Sequence, residues 1–228
     1  MNILSSYETI AKSNGTSLRK HTNDALNISN YLISSNKEIL KNWCELNGID
    51  IRMLLKEINI AIFFHDFGKG AIKWQKEAIK EEPHLPPHAA YSGYFLFQNE
   101  ADFCSHLACI SHHSLLTEYS FDKVPYPKSF NEEYLLEFAT KNKYKIVFNI
   151  PWRNYFEGLK NFKKESQSLN VRNKWNNQID TYFKAKYCLI LSYLTTSDGI
   201  ASKIEEENIP DTDVNNILTK WFPSPLDI

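Results

Sequence analysis

The stretch Ile51-Arg52-Met53-Leu54-Leu55-Lys56-Glu57-Ile58-Asn59-Ile60-Ala61-Ile62-Phe63-Phe64-His65-Asp66-Phe67-Gly68-Lys69 decides the reading of the fold. Leu54, Leu55, Ile58, Ala61, Ile62 and Phe64 recur at the three- and four-residue spacing of a helix. So dense an apolar pattern predicts a largely buried helix. It ends on His65-Asp66-Phe67-Gly68, which leaves an imidazole and a carboxylate where a buried helix stops.

The same periodicity extends in both directions. Upstream, Ala25, Leu26, Ile28 and Leu32 predict a helix over His21–Leu32. Ile39, Leu40, Trp43 and Leu46 predict another over Glu38–Leu46, with Gly48 as its stop. Downstream, a short helix follows Gly70 and runs through Trp74 to about Ile79. Pro83, Pro86 and Pro87 make residues 81–87 a loop. His88 opens the next helix, and Asp102 is placed to cap one that runs to His112-His113. Ser120–Asn131 reads as loop. Glu132–Thr140, Trp152–Lys164 and Arg172–Ser197 read as helices, the last ended by Asp198. Lys145–Ile150 has the composition of a short strand, ended by Pro151 and with no evident partner. The expected fold class is all-α. One domain is expected over residues 1–210, followed at 211–228 by a C-terminal tail whose Pro223-Ser224-Pro225 looks like the edge of a linker.

With 228 residues, the chain is long enough for one sizeable core. A formal net charge of -1 means that no global basic field announces a nucleic-acid partner, although a local basic groove can sit on a neutral protein. The N-terminus lacks the pattern of a signal peptide, and no apolar run is long enough to span a bilayer. Cys44, Cys104, Cys109 and Cys188 form no CxxC pair, which argues against a zinc ribbon and a disulfide framework. Buried free thiols and a cytoplasmic location are expected.

Chemistry concentrates at the expected helix ends. His21, His65, Asp66, His88, His112, His113 and Asp198 all fall there. Each has an ordinary reading when taken singly. A His-Asp dipeptide is common by chance, a His-His pair can cap a helix C-terminus, and His21 alone reads as a surface or capping residue. Asp198 before Gly199 can begin a turn. Taken together they supply imidazoles and carboxylates to one cleft. Neutral imidazole suits transition metals, and a carboxylate can bridge two ions. Two adjacent metals can clamp a phosphate and activate water near neutral pH.

Phe63-Phe64-His65-Asp66-Phe67-Gly68-Lys69 resembles the signature of the HD superfamily, an apolar helix ending in His-Asp-x-Gly-Lys. His21 matches that superfamily's upstream histidine and Asp198 its distant aspartate. His88-Ala89-Ala90-Tyr91-Ser92, Ile110-Ser111-His112-His113 and Thr196-Ser197-Asp198-Gly199 resemble blocks of a narrower group, the HD nucleases of CRISPR type I interference. The resemblance covers roughly residues 15–205 as scattered blocks. It implies an HD-domain helical fold and two divalent metal ions, drawn from Mn, Fe, Co, Ni or Mg. It places His21, His65, Asp66 and Asp198 on the first ion. Asp66, His88, His112 and His113 fall on the second, with Asp66 bridging. It puts Lys69 beside the scissile phosphate as a catalytic residue with Asp66. It implies single-stranded DNA as substrate, and a helicase and an RNA-guided surveillance complex as partners. No GxxxxGK[ST] loop occurs in this chain, so the helicase would be a separate chain or lie beyond residue 228. The alternative is a small-molecule HD phosphohydrolase acting on nucleotides or cyclic nucleotides, which needs only the first ion.

The remaining features are less specific. Ser92 suits either a supporting hydrogen bond or helix packing. His84, in the proline-rich loop, reads as solvated, and His106 as a buried or supporting residue. Lys160, Lys163, Lys164, Arg172, Lys174, Lys184 and Lys186 interleave with Phe162, Trp175, Tyr182 and Phe183. Such a mixture can track a single strand, but a solvated helix face is the commoner meaning.

Overall fold

Helix α3 (Ile51–Phe64) is the centre of the molecule. Leu54, Ile58, Ile60, Ala61, Ile62, Phe63 and Phe64 are all buried, so its last turn is covered on every side. Asp50 starts it by accepting a hydrogen bond from Arg52 N at 2.8 Å. The computed structural model describes residues 8–82, 87–113, 126–149, 151–168 and 178–222. Around α3 lie α1 (Leu18–Ser35), α2 (Lys37–Asn47), α4 (Ile72–Ile79), α5 (His88–Gln98), α6 (Phe103–Ser111), α7 (Glu132–Lys141), α8 (Trp152–Ser168), α9 (Gln178–Glu206) and α10 (Asp211–Trp221). A 3-10 turn, Phe67–Gly70, follows α3. The fold is all-α and a single domain. Among the described residues, the only β pairing is two isolated bridges, Ile10 with Ser17 and Ala71 with Phe130.

Helices α1, α5, α6 and α9 pack against α3, and α9 also packs on α1 and α6. Asp102 caps α6 by accepting from Cys104 N at 2.7 Å, and its carboxylate pairs with Lys186 of α9 at 3.1 Å. Gly48 ends α2 in the left-handed region at φ 64°, where a side chain would be strained. Both sequence-based assignments therefore hold, the cap at Asp102 and the stop at Gly48.

Several expectations change. The sequence ends the long helix at Asp198, but α9 continues past it to Glu206. Ile190, Leu194, Ser197, Ala201 and Ile204 form one buried stripe across that point. Their burial outweighs the roughly 1 kcal/mol that Gly199 costs a helix. Residues 145–149 of the expected strand are not one. The Asn99 side chain bonds Lys145 N and O, and the Gln98 side chain bonds Val147 N and O. Two side-chain amides at the C-terminal end of α5 thus take the place of a partner strand. Cys44, Cys104 and Cys109 are buried free thiols as expected, whereas Cys188 is exposed. Residues 211–221, read as the start of a tail, form α10, and Leu218 is buried in the core. Among the described residues no helix is long and apolar enough to cross a membrane.

Candidate metal centre

The buried end of α3 carries His65 and Asp66 into the interior, both essentially without solvent exposure. The chain can turn there because Gly68 has no side chain. A Cβ on Gly68 would lie 2.0 Å from the carbonyl oxygen of His88. The turn is held from the other side by Ser92, whose Oγ accepts from Gly68 N at 2.8 Å. That contact brings the start of α5, and with it His88, against Asp66. Helix α6 ends beside them with His112 and His113, and α1 contributes His21 from its first turn.

The Asp66 carboxylate divides these residues into two sets. Its Oδ2 lies 3.3 Å from His21 Nε2, 3.5 Å from His65 Nε2 and 2.6 Å from Lys69 Nζ. Its Oδ1 lies 3.0 Å from His88 Nε2 and 4.0 Å from His112 Nε2. The donor atoms of Asp66, His88, His112 and His113 converge closely enough for one ion, and so do those of His21, His65 and Asp66. Asp198 joins the second of these groups from the middle of α9. Its Oδ1 is 3.1 Å from His21 Nε2 and 3.7 Å from His65 Nε2. The seven residues expected from the sequence as metal ligands therefore lie close together, with His21 and His65 at Oδ2 of Asp66 and His88 and His112 at its Oδ1.

Hydrogen bonds behind the rings fix which nitrogen faces inward. His65 Nδ1 donates to the carbonyl of Ile62 and His112 Nδ1 to that of Cys109, each at 2.6 Å. A carbonyl only accepts, so in the neutral rings the proton is on Nδ1 and Nε2 presents a lone pair. His65 Nε2 and His112 Nε2 are buried without a hydrogen-bond partner. Two buried acceptors beside one carboxylate are costly alone and suited to cations. His113 Nε2 and His88 Nε2 stand 3.0 Å apart, a spacing that calls for a shared proton or a shared cation. The residues thus suit a divalent metal.

The electrostatics differ between the two sets. Burial pushes the His88 imidazole down to about 4, with the Lys69 ammonium adding to the effect. Burial likewise lowers His112, and the neighbouring His113, His65 and His88 rings act in the same direction. Both rings are neutral at pH 7 and need lose no proton to bind an ion. His21 is the opposite case. Burial opposes its charge, but hydrogen bonds with Asp198, Asp66 and Glu205 outweigh that and raise its pKa. Asp66 is buried too, yet Lys69 and His65 lead the interactions that keep it ionised.

Glu205 escaped the sequence reading. It is 6% exposed, and its Oε1 lies 2.9 Å from His21 Nδ1. Lys12 pairs with its Oε2 at 3.1 Å. A carboxylate behind a ligand histidine fixes ring orientation and increases basicity. Glu205 stands seven residues after Asp198 and so on the same face of α9, a relation that exists only because the helix runs on past Asp198. Lys69 is buried with its ammonium on Asp66. Ser92 acts on the turn rather than on a ligand. His106 is buried and bonds Tyr155 Oη at 2.8 Å, outside the cluster. His84 lies outside the described residues.

No protein-family model matches the sequence, and a search of curated proteins finds no match. Among solved structures the chain is similar to the CRISPR-associated Cas3 HD domain protein MJ0384 from Methanocaldococcus jannaschii, with a TM-score of 0.57 and 18% identity over 82% of this chain and 98% of that one. At this identity the likeness establishes the fold. It is the all-helical HD-domain fold.

Proposed function

We propose that the protein is a metal-dependent nuclease that hydrolyses phosphodiester bonds of single-stranded DNA in CRISPR type I interference, working with a helicase and an RNA-guided surveillance complex. The division of Asp66 carries this reading: one buried carboxylate turns Oδ2 toward His21 and His65 and Oδ1 toward His88 and His112. A one-ion hydrolase has no need of the second set. The sequence blocks around His88, His112 and Asp198 support the narrower assignment, as does the likeness to a CRISPR-associated HD domain.

Two bound divalent ions would supply Lewis acidity and water activation at the phosphate. The chain's own residues do the rest. His65 and His112 present lone pairs fixed by backbone carbonyls. Asp66 would serve as a ligand at both positions. Glu205 orients His21. Lys69, 2.6 Å from Asp66 Oδ2, keeps a positive charge at the centre, where it can offset the charge of a diester. Among the described residues of the centre no serine or cysteine is paired with a base, and attack by water is the route they allow.

The test is digestion of circular single-stranded DNA beside a panel of nucleotides. Cleavage is expected with Mn or Co and is expected to stop on chelation. Intact DNA together with hydrolysed nucleotides would replace this reading with the small-molecule phosphohydrolase.

A further inference from the structure

Helix α4 has two faces. On one, Trp74 is buried, with its ring edge-on to His88 at 6.1 Å and under the Lys69 ammonium at 5.5 Å. On the other, Lys73, Lys76 and Lys80 are exposed at helical spacing. Their row spans about 10 Å at 1.5 Å per residue. Facing it, residues 126–129 contribute Lys128 and Tyr126. Together they line a cleft of about 560 Å3, in which Glu77 is the one acid among the described lining residues.

The cleft is locally basic on a chain of net charge -1. Glu77 is 3.6 Å from Lys73, while Lys76, Lys80 and Lys128 have no acidic partner among the described residues. Tyr126 is 46% exposed, yet its ring lies flat on the buried Phe156, with centroids 5.6 Å apart and planes within 12°. One ring face is therefore backed by the core. A turn-spaced row of ammonium groups suits repeating phosphates, and a pinned ring suits a stacked base. The row is longer than the ~3.4 Å rise between phosphates of a stacked strand, so it addresses more than one. The basic, aromatic-rich segment at 160–186 is a poorer candidate. Much of it lies outside the described residues, Lys186 is paired with Asp102, and Phe183 packs on the core.

We propose that this cleft binds the sugar–phosphate backbone of a single-stranded nucleic acid, as the approach to the metal centre on the opposite face of α4. The assignment rests on the nuclease reading above, since it makes the cleft part of that site's substrate path.

The experiment compares wild type with the triple variant Lys76→Ala, Lys80→Ala, Lys128→Ala. Binding of a fluorescent single-stranded oligonucleotide is followed by anisotropy across a salt series, with chelator present. Three lost phosphate contacts should flatten the slope of log K against log salt by about 2. Tyr126→Ala should weaken binding roughly ten-fold and leave the slope unchanged. Metal content and hydrolysis of bis(p-nitrophenyl) phosphate, a diester too small to reach the cleft, should stay at wild-type levels. If metal-loaded wild type cuts the strand and the triple variant binds and cuts it equally well, the cleft assignment is overturned and the nuclease reading stands. If wild type binds with the lysine-dependent slope but never cuts, the nuclease reading falls and the cleft is upheld as a binding surface.

Discussion

Asp66 lies within 4.0 Å of His21, His65, Lys69, His88 and His112, and it is the residue both proposed metal positions share. Elemental analysis of saturated protein should find about two ions per chain in wild type. About one should remain in His21→Ala or Asp198→Ala, about one in His88→Ala, His112→Ala or His113→Ala, and the fewest in Asp66→Ala. One ion in wild type, with the His88, His112 and His113 variants fully active, would sink the two-position assignment. Lys69 differs from these because a protonated amine has no lone pair to offer a metal. Lys69→Ala should keep its ions and lose roughly ten- to a thousandfold in turnover, the range for removing one transition-state donor. An unchanged rate, or a loss of metal, refutes that role. Residue chemistry was the most legible level in the sequence. Imidazole and carboxylate were recognisable by type, and their order along the chain matched a known pattern. What stayed hidden was Glu205, because a carboxylate that acts through another ligand has no motif of its own.

At the scale of elements, the turn Phe67–Gly70 sets the geometry of the centre. Gly68→Ala would push a Cβ into the His88 carbonyl, a backbone atom that cannot swing aside. Either the turn or the start of α5 must move. The expected cost is at least ~1–3 kcal/mol, read as a lower urea midpoint with an unchanged slope. A midpoint equal to wild type would show that the two segments do not approach so closely. This element was half legible. Periodicity located α3 and its end, since a run of apolar residues has a clear period. Nothing local marked the far partner of Gly68. For the same reason the sequence stopped α9 too early. A glycine is a local signal, while the stripe from Ile190 to Ile204 has meaning only against α1 and α6.

For the whole molecule, His106 is a source of acid sensitivity outside the metal centre. His106 is buried between Phe97, Phe103 and Tyr155, and burial lowers its pKa from 6.5 to about 4. Between those values the unfolded chain holds the proton and the folded chain does not. Stability from this group is therefore complete above about pH 6.5 and falls as pH drops toward 4, by roughly 3 kcal/mol at the limit. His106→Gln keeps a side-chain amide near Tyr155 Oη and cannot titrate. Urea melts at pH 7 and pH 4.5 should show a smaller drop for the variant than for wild type, and equal drops would contradict the account. Asp66, His88, His112 and His113 occupy one stretch of chain, whereas His21 meets Asp198 across 177 positions. On a ribosome, one half of the centre has all its residues while the other still waits for α9 to be made. The second half is complete only when the polypeptide has closed on itself, so a product truncated before α9 keeps the ligands for a single ion.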